Sequence, residues 1–376
     1  MPSQILHFLF AEDLFHRLGP RIGFDFSRAL GPAVSPMVAL GSQGPDLFYH
    51  SQHTRPVAIE YGTLIHRRDF GLLATKLLSL ALEAGGPEGQ GIDASLGVIE
   101  HRERRLLCEG GLYALSFATH AFLDRATHPY IVNRAGWVSP ARPETGRYAR
   151  CHAFFERIID VLMLRYLRGR GQDSWDQEAL LARPCGAASG DLINLLKTAL
   201  VAAYPKRAGS DQRLQQRIQN AFKDAEGFYR NTNPRKTSFN LRLRDECVYF
   251  RDHQDRSSVA LVYPEAFPLG IDYLNLSRSP WRHPCGEGLF DIRSFPELYQ
   301  SAFTNALGFF EALLNHYLKT GKIMDDAPFW LGNGSLSIQD VSGRPCAPLW
   351  SDPLPLDQVL TEQYQRRLAY RNRCGL

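Results

Sequence analysis

Apolar positions recur at helical spacing along most of the chain. Residues 4 to 18 carry Ile5, Leu6, Phe8, Leu9, Leu14 and Phe15 in such a pattern, with His7 inside it. Residues 19 to 57 are rich in Gly and Pro and predict loop with short elements. Within them GSQGPDLFY (residues 41 to 49) sets Asp46 on a tight, rigid turn. Residues 58 to 84 predict one helix, whose stripe of Ile65, Phe70, Leu73, Leu77 and Leu78 also takes in His66. GGPEGQG (residues 85 to 91) ends it. The next helix is expected over about 109 to 127. It is apolar nearly all round, which predicts burial among other helices. Pro129 disfavours helical geometry at His128, so that helix is expected to stop there.

Residues 148 to 167, 191 to 204 and 210 to 229 predict further helices, with a polar connection over 169 to 190. Residues 231 to 288 are less helical, with Pro234, Pro264, Pro268 and Pro280 and a β-prone run at Val259 to Tyr263, and predict an irregular excursion with a small hairpin. Ser294 to Thr320 reads as a long helix opening on SFPEL, with Pro296 in its first turn. A Pro-rich stretch from Gly343 to Pro355 precedes a last helix at about Leu356 to Tyr370. The fold class expected is all-α: a multi-helical bundle with an irregular, partly β excursion in its C-terminal half. One domain over residues 1–376 is expected. Within it 1–168 form the helical core of a site, 231–288 an insertion and 290–376 the C-terminal helices.

Composition narrows the class. With 44% hydrophobic and 22% charged residues the chain is not of the disordered type. A net charge of +4 is too small, for 376 residues, to argue nucleic-acid binding by electrostatics. The seven cysteines (108, 151, 185, 247, 285, 346 and 374) are odd in number and scattered, and form no CxxC pair. That argues against a disulfide scaffold and a thiolate zinc site, and for a reducing compartment. The N-terminal stretch lacks a basic n-region and meets Glu12 and Asp13, so it does not read as a signal peptide. No run reaches the ~18 apolar residues of a membrane span. A cytoplasmic location is expected, with unusual export left open.

The chemistry concentrates in THAFLDRATHPYI (residues 119 to 131), where His120, Asp124 and His128 follow one another at steps of four. A His and an Asp among Leu, Phe and Ala are costly to bury unless something satisfies them, and a divalent cation would. A second pair, His152 and Glu156, has the same spacing, with Asp160 one turn further. His7, Asp46 and His66 are single candidates on separate elements. Two His-x3-carboxylate pairs on buried helices are hard to explain as packing, since carboxylates are rarely buried unpaired. Zinc takes such nitrogen and oxygen ligands, and manganese or iron would suit them too. The Glu-x-x-His pairs of diiron bundles, an adjacent His-Asp doublet, HExxH, Walker A and GxSxG are all absent from the sequence.

These blocks resemble the bacterial zinc-dependent phospholipase C family, which is related to the fungal single-strand-specific zinc nucleases. The resemblance rests on His7, the Gly-Pro-Asp turn at Asp46, His66 in GTLIH, THAFLDRATHPYI and CHAFFE. IDYLNLSRSPWRHP and SFPELYQSA extend it more weakly toward the C-terminus. It implies an all-helical fold around two or three Zn2+ ions. Asp46, His66, His120 and Asp124 would hold one; His128, His152 and Glu156 a second. Asp124 would bridge to a third, completed by His7 and the N-terminal amine and carbonyl. Secreted members begin with a processed Trp, whereas this chain begins Met-Pro; Pro2, freed by removal of Met1, is the expected substitute ligand. The step from Asp124 to His128 is also shorter than in those members. Asp160 is expected behind the ligands, orienting His152 or pairing with an arginine.

The function this implies is a zinc-dependent phosphoric ester hydrolase, of phospholipase C type, in which a zinc-bound hydroxide attacks a phospholipid. Asp46 is the expected catalytic residue, orienting or deprotonating that water while also ligating. Phospholipid or another phosphodiester is the expected partner, with peripheral membrane contact and no transmembrane segment. Phe48, Tyr49, Phe267, Tyr273 and Trp281 are candidates for an apolar rim. Two alternatives stay open: a zinc nuclease or phosphodiesterase on single-stranded nucleic acid or small diesters, and a non-catalytic, zinc-stabilised helical binding module.

Overall fold

The N-terminal apolar pattern forms helix α1 (Gln4–Ile22), which runs one turn past the expected end and carries Pro20 in its last turn. The structure, a computed structural model, describes residues 4–28, 30, 35–83, 98–237, 259–264, 266–286 and 289–374. The expected ligand Pro2 lies outside them. The Gly- and Pro-rich stretch contains α2 (Ser35–Ser42) and a 3-10 helix (Gly44–His50) that carries Asp46.

The single helix expected over 58 to 84 is two, α3 (Ile59–Arg67) and α4 (Phe70–Leu82). The break falls at Asp69, whose φ is +61°. A distant turn stabilises it: the amides of Asp69 and Gly71 donate to the carbonyls of Asn333 and Gly332, at 2.9 and 2.8 Å. The amide of Leu72 donates to Asn333 Oδ1 at 2.8 Å. Local periodicity cannot report a partner more than 260 residues away.

After α5 (Val98–Leu107) comes the central helix α6 (Glu109–Ala135). It does not stop before Pro129 but passes through it. A proline inside a helix removes one hydrogen bond and costs about 3 kcal/mol. Contacts beyond the proline offset this. Tyr130 Oη donates to the Tyr273 carbonyl at 2.8 Å. The Asn133 and Arg134 carbonyls, which the helix end leaves free, accept from the amides of Asp352 and Leu354 at 3.1 and 2.8 Å. Helix α2 packs along α6, and α1, α4 and α7 (Cys151–Arg168) also contact it. The periodic segments further on form α8 (Gly190–Ala203) and α9 (Leu214–Asn231).

The excursion is described only in part. Val259–Tyr263 is turn rather than strand, and the hairpin lies later. There β1 (Trp281–Arg282) pairs antiparallel with β2 (Phe290–Asp291). Cys285 and Cys346 form a disulfide, a pairing that the scattered cysteines gave no sign of. Helix α10 (Phe295–Thr320) begins in a capping box in which Ser294 N donates to Glu297 Oε2 at 2.9 Å. Helices α11 (Ala327–Leu331) and α12 (Leu356–Cys374) complete the described chain. The fold is all-α apart from this ribbon. Buried apolar residues from Ile5 to Leu360 join one continuous core, with α6 at its centre. No single described helix is long and apolar enough to cross a membrane.

Candidate metal centre

Helix α6 brings His120, Asp124 and His128 into a row, because one continuous helix through Pro129 keeps steps of four on one face. Asp124 is the hub. Its Oδ1 lies 3.2 Å from His7 Nε2 and 3.4 Å from His128 Nδ1. Its Oδ2 lies 2.9 Å from His120 Nε2 and 3.8 Å from His66 Nε2. The turn carboxylate Asp46 approaches from the other side, 3.0 Å from His66 Nε2 and 3.6 Å from His120 Nε2. Beyond His128 lies Glu156 of α7, whose Oε1 is 3.3 Å from His128 Nε2 and 3.1 Å from His152 Nε2. Eight of the expected ligands, from five elements, thus meet in one place. Three groupings among the described residues are tight enough to hold a metal ion: His7, Asp46 and His120; His66, His120 and Asp124; and His128, His152 and Glu156.

The donor chemistry fits a cation. His66 Nδ1 is 2.7 Å from the Gly62 carbonyl, and His120 Nδ1 is 3.2 Å from the Ser42 carbonyl. A carbonyl can only accept, so both Nδ1 atoms donate, and Nε2 is the atom each ring turns toward the carboxylates. His7 Nδ1, His120 Nε2, Asp124 Oδ2 and His128 Nδ1 are buried with no hydrogen-bond partner among the described residues. Polar atoms buried in that state are destabilising unless something coordinates them.

Electrostatics agree. Burial pushes the Asp124 carboxyl up, but His120 and His128 outweigh it and hold it well below the usual carboxylate range. Asp46 is lowered against its own burial by His120 and His66. Glu156 likewise stays well below the usual range, opposed by burial and favoured by His152 and His128. Burial lowers His128, but Asp124 and Glu156 on either side raise it to about 9. His152, more open to solvent, is lowered by burial in spite of Glu156. Three anionic carboxylates among five imidazoles form a ready ligand field for divalent ions.

Further contacts hold these side chains in place. Gly44 has φ +55°, and a Cβ there would sit 2.6 Å from His120 Cγ, so the turn can approach that imidazole only as glycine. His7 stacks on His120 with ring centroids 4.0 Å apart. Asp160 faces α1: it accepts from the amides of Ile5 and Leu6 and from Tyr263 Oη, and lies 3.9 Å from Arg157. Of its two expected roles, the arginine pairing is the one seen. The Arg125 guanidinium, next to Asp124, donates to the carbonyls of Leu331, Gly332 and Ser335. The His66 carbonyl accepts from the Leu336 amide at 2.8 Å.

The expected aromatic rim is mostly core. Phe48, Tyr273 and Trp281 are buried, with Trp281 packed edge-on to Tyr130. Phe267 is half-buried against Tyr273. Tyr49 alone stands beside the ligands, its ring 4.8 Å from that of His66 and only partly covered. Comparisons with protein-family models, with curated proteins and with solved structures find no match.

Proposed function

We propose that the chain is a zinc-dependent phosphodiester hydrolase of the phospholipase C type. The observation that carries this reading is the position of Asp124, within 3.4 Å of His7, His120 and His128 and so beside members of all three groupings. A carboxylate that reaches neighbouring groupings is what a cluster of two or more ions needs, and such clusters suit phosphoryl transfer. The resemblance of the ligand blocks to the zinc-dependent phospholipases C supports the same reading.

His66 and His120, fixed by the Gly62 and Ser42 carbonyls, Asp46, Asp124 and His7 would hold zinc at one end of the row. His128, His152 and Glu156 would hold it at the other. Bound zinc supplies Lewis acidity, polarising a phosphoryl oxygen and lowering the pKa of water toward ~7. Asp46 is the base. Its carboxyl stays ionised between His66 and His120, and its turn holds it rigidly enough to orient a water and take its proton. His152, the most open of the ligands at 31% side-chain exposure, marks the side from which a diester enters.

Metal analysis of the purified protein, with assays on phosphatidylcholine, other phospholipids, single-stranded DNA and a chromogenic phosphodiester, tests the proposal. Zinc with lipid turnover is the expected result. Turnover of DNA alone would favour the nuclease. Bound zinc with no turnover of any ester would leave a zinc-stabilised module.

A further inference from the structure

The ribbon β1–β2 has two unlike faces. On one, Trp281 is buried against Tyr130 of α6, and Asn133 Nδ2 donates to the Arg282 carbonyl at 3.0 Å. It is thus seated on α6 two to five residues past His128. The other face has no cover among the described residues. Phe290, opposite Arg282 in the ribbon, is 57% exposed, and Ile292, just past the second strand, is 54% exposed. Leu276, Leu289 and Leu349, in the segments that adjoin the ribbon, are about as exposed. The patch is braced. Asn275 Nδ2 donates to the Ile292 carbonyl, and the Leu349 amide donates to the Pro284 carbonyl at 2.7 Å. The Cys285–Cys346 disulfide ties the ribbon to the segment leading to Leu349 and Trp350.

The charge at its centre is particular. The Arg282 guanidinium lies over the rings of Phe290 and Trp350, 4.8 Å from each centroid. Its neighbours Arg278 and Arg293 are neutralised by Glu297 and Asp291, whereas Arg282 is held by aromatic faces and, among the described residues, pairs with no acid. A cation framed by Trp, Phe and aliphatic side chains matches a lipid interface, where apolar tips enter the acyl boundary and Arg reaches a phosphate. A second copy of the chain fits less well. Five half-exposed side chains offer on the order of 100 Å² apiece, below the ~800 Å² per partner of a stable interface.

We propose that this face docks the protein on a phospholipid surface bearing anionic headgroups. The inference rests on the hydrolase reading only for its purpose, since docking would hold the metal centre at its substrate. The test is co-sedimentation of the full-length zinc protein with phosphatidylcholine vesicles containing phosphatidylglycerol, and with pure phosphatidylcholine vesicles. Binding should be stronger to the anionic vesicles. The pair of changes Phe290→Asp and Ile292→Asp should weaken it at least tenfold, and Arg282→Gln should abolish the preference for anionic lipid. Both variants should hydrolyse a soluble chromogenic phosphodiester at the wild-type rate. Vesicle binding equal in wild type and the double variant would overturn the docking face. So would a concentration-dependent dimer that the double variant loses. Vesicle binding without turnover of any diester would sink the hydrolase and leave the face standing. Turnover of the soluble diester without vesicle binding would do the reverse.

Discussion

The Asp160 carboxylate accepts the backbone amide of Leu6 at 2.8 Å, so a residue of α7 caps the helix that carries His7. The Ile5 amide and Tyr263 Oη share the same carboxylate, at 3.1 and 3.0 Å. Orphan amides at a helix N-terminus need an acceptor, and here it comes from 154 residues away. Asp160→Ala would strand those donors and leave Arg157 buried without its acid, a loss of about 3–5 kcal/mol. Asp160→Asn should fold and bind zinc at His128, His152 and Glu156, while releasing zinc from the His7 end. Stepwise removal by a chromogenic chelator checks this; identical release profiles for wild type and Asp160→Asn would dissociate the cap from the metal centre.

His120→Ala and Glu156→Ala should each lose zinc and activity together. Asp46→Asn should keep most of its fold and lose ~10²–10⁴-fold in rate, the usual contribution of a general base. Zinc content and phosphodiester turnover, measured on the same preparations, check the set. A His120→Ala protein with full zinc and full rate would show that the site has been misassigned.

Gly44→Ala tests the approach of the turn to α6. The added methyl would meet His120 Cγ at 2.6 Å in a backbone conformation unfavourable to alanine. A loss of about 1–3 kcal/mol is expected from strain and overpacking. Zinc affinity should fall with it, because His120 is the atom group displaced. Gly146→Ala, where a Cβ meets nothing within 4 Å, is the control and should leave both unchanged.

His50 should set part of the acid limit of stability. It is buried, stacked on Phe228 with centroids 4.0 Å apart, and burial lowers it to about 3. Unfolding frees it to an ordinary pKa near 6.5. Between those values the unfolded chain binds the extra proton, so stability falls as pH drops from about 6.5 toward 3. One group gives at most about 1.4 kcal/mol per pH unit. His50→Phe should flatten that part of the profile in urea melts between pH 6.5 and 4; an unchanged slope would assign the effect elsewhere.

Much of this was legible in the sequence for a plain reason. Ligand rows at steps of four lie on single helices, and helices are local. His120, Asp124, His152 and Glu156 could therefore be placed on helices before any fold was known, whereas His128, expected at or just past a helix end, lies inside α6. Helix boundaries failed where distant residues decided them. Pro129 stays inside α6 because the backbone at 352 and 354 meets the carbonyls at its end. The break at Asp69 forms because the Gly332–Asn333 turn fills it. The rim residues failed similarly: Trp281 and Tyr273 lie in loop-like sequence, but both rings are buried, Trp281 against Tyr130 and Tyr273 against Phe267. No local pattern tells an aromatic that packs from one that waits for a ligand.

The braces on His66 and Arg125 have a consequence for biosynthesis. Every candidate ligand among the described residues is in hand once residue 156 has been translated. The backbone that steadies two of the elements carrying them, from Leu331 to Leu336, is made some 175 residues later. A nascent chain therefore carries the complete ligand set for a long interval without the means to hold it in register. If these groupings take metal as proposed, they would do so after the polypeptide has left the ribosome, and a fragment ending at residue 168 should acquire little of it.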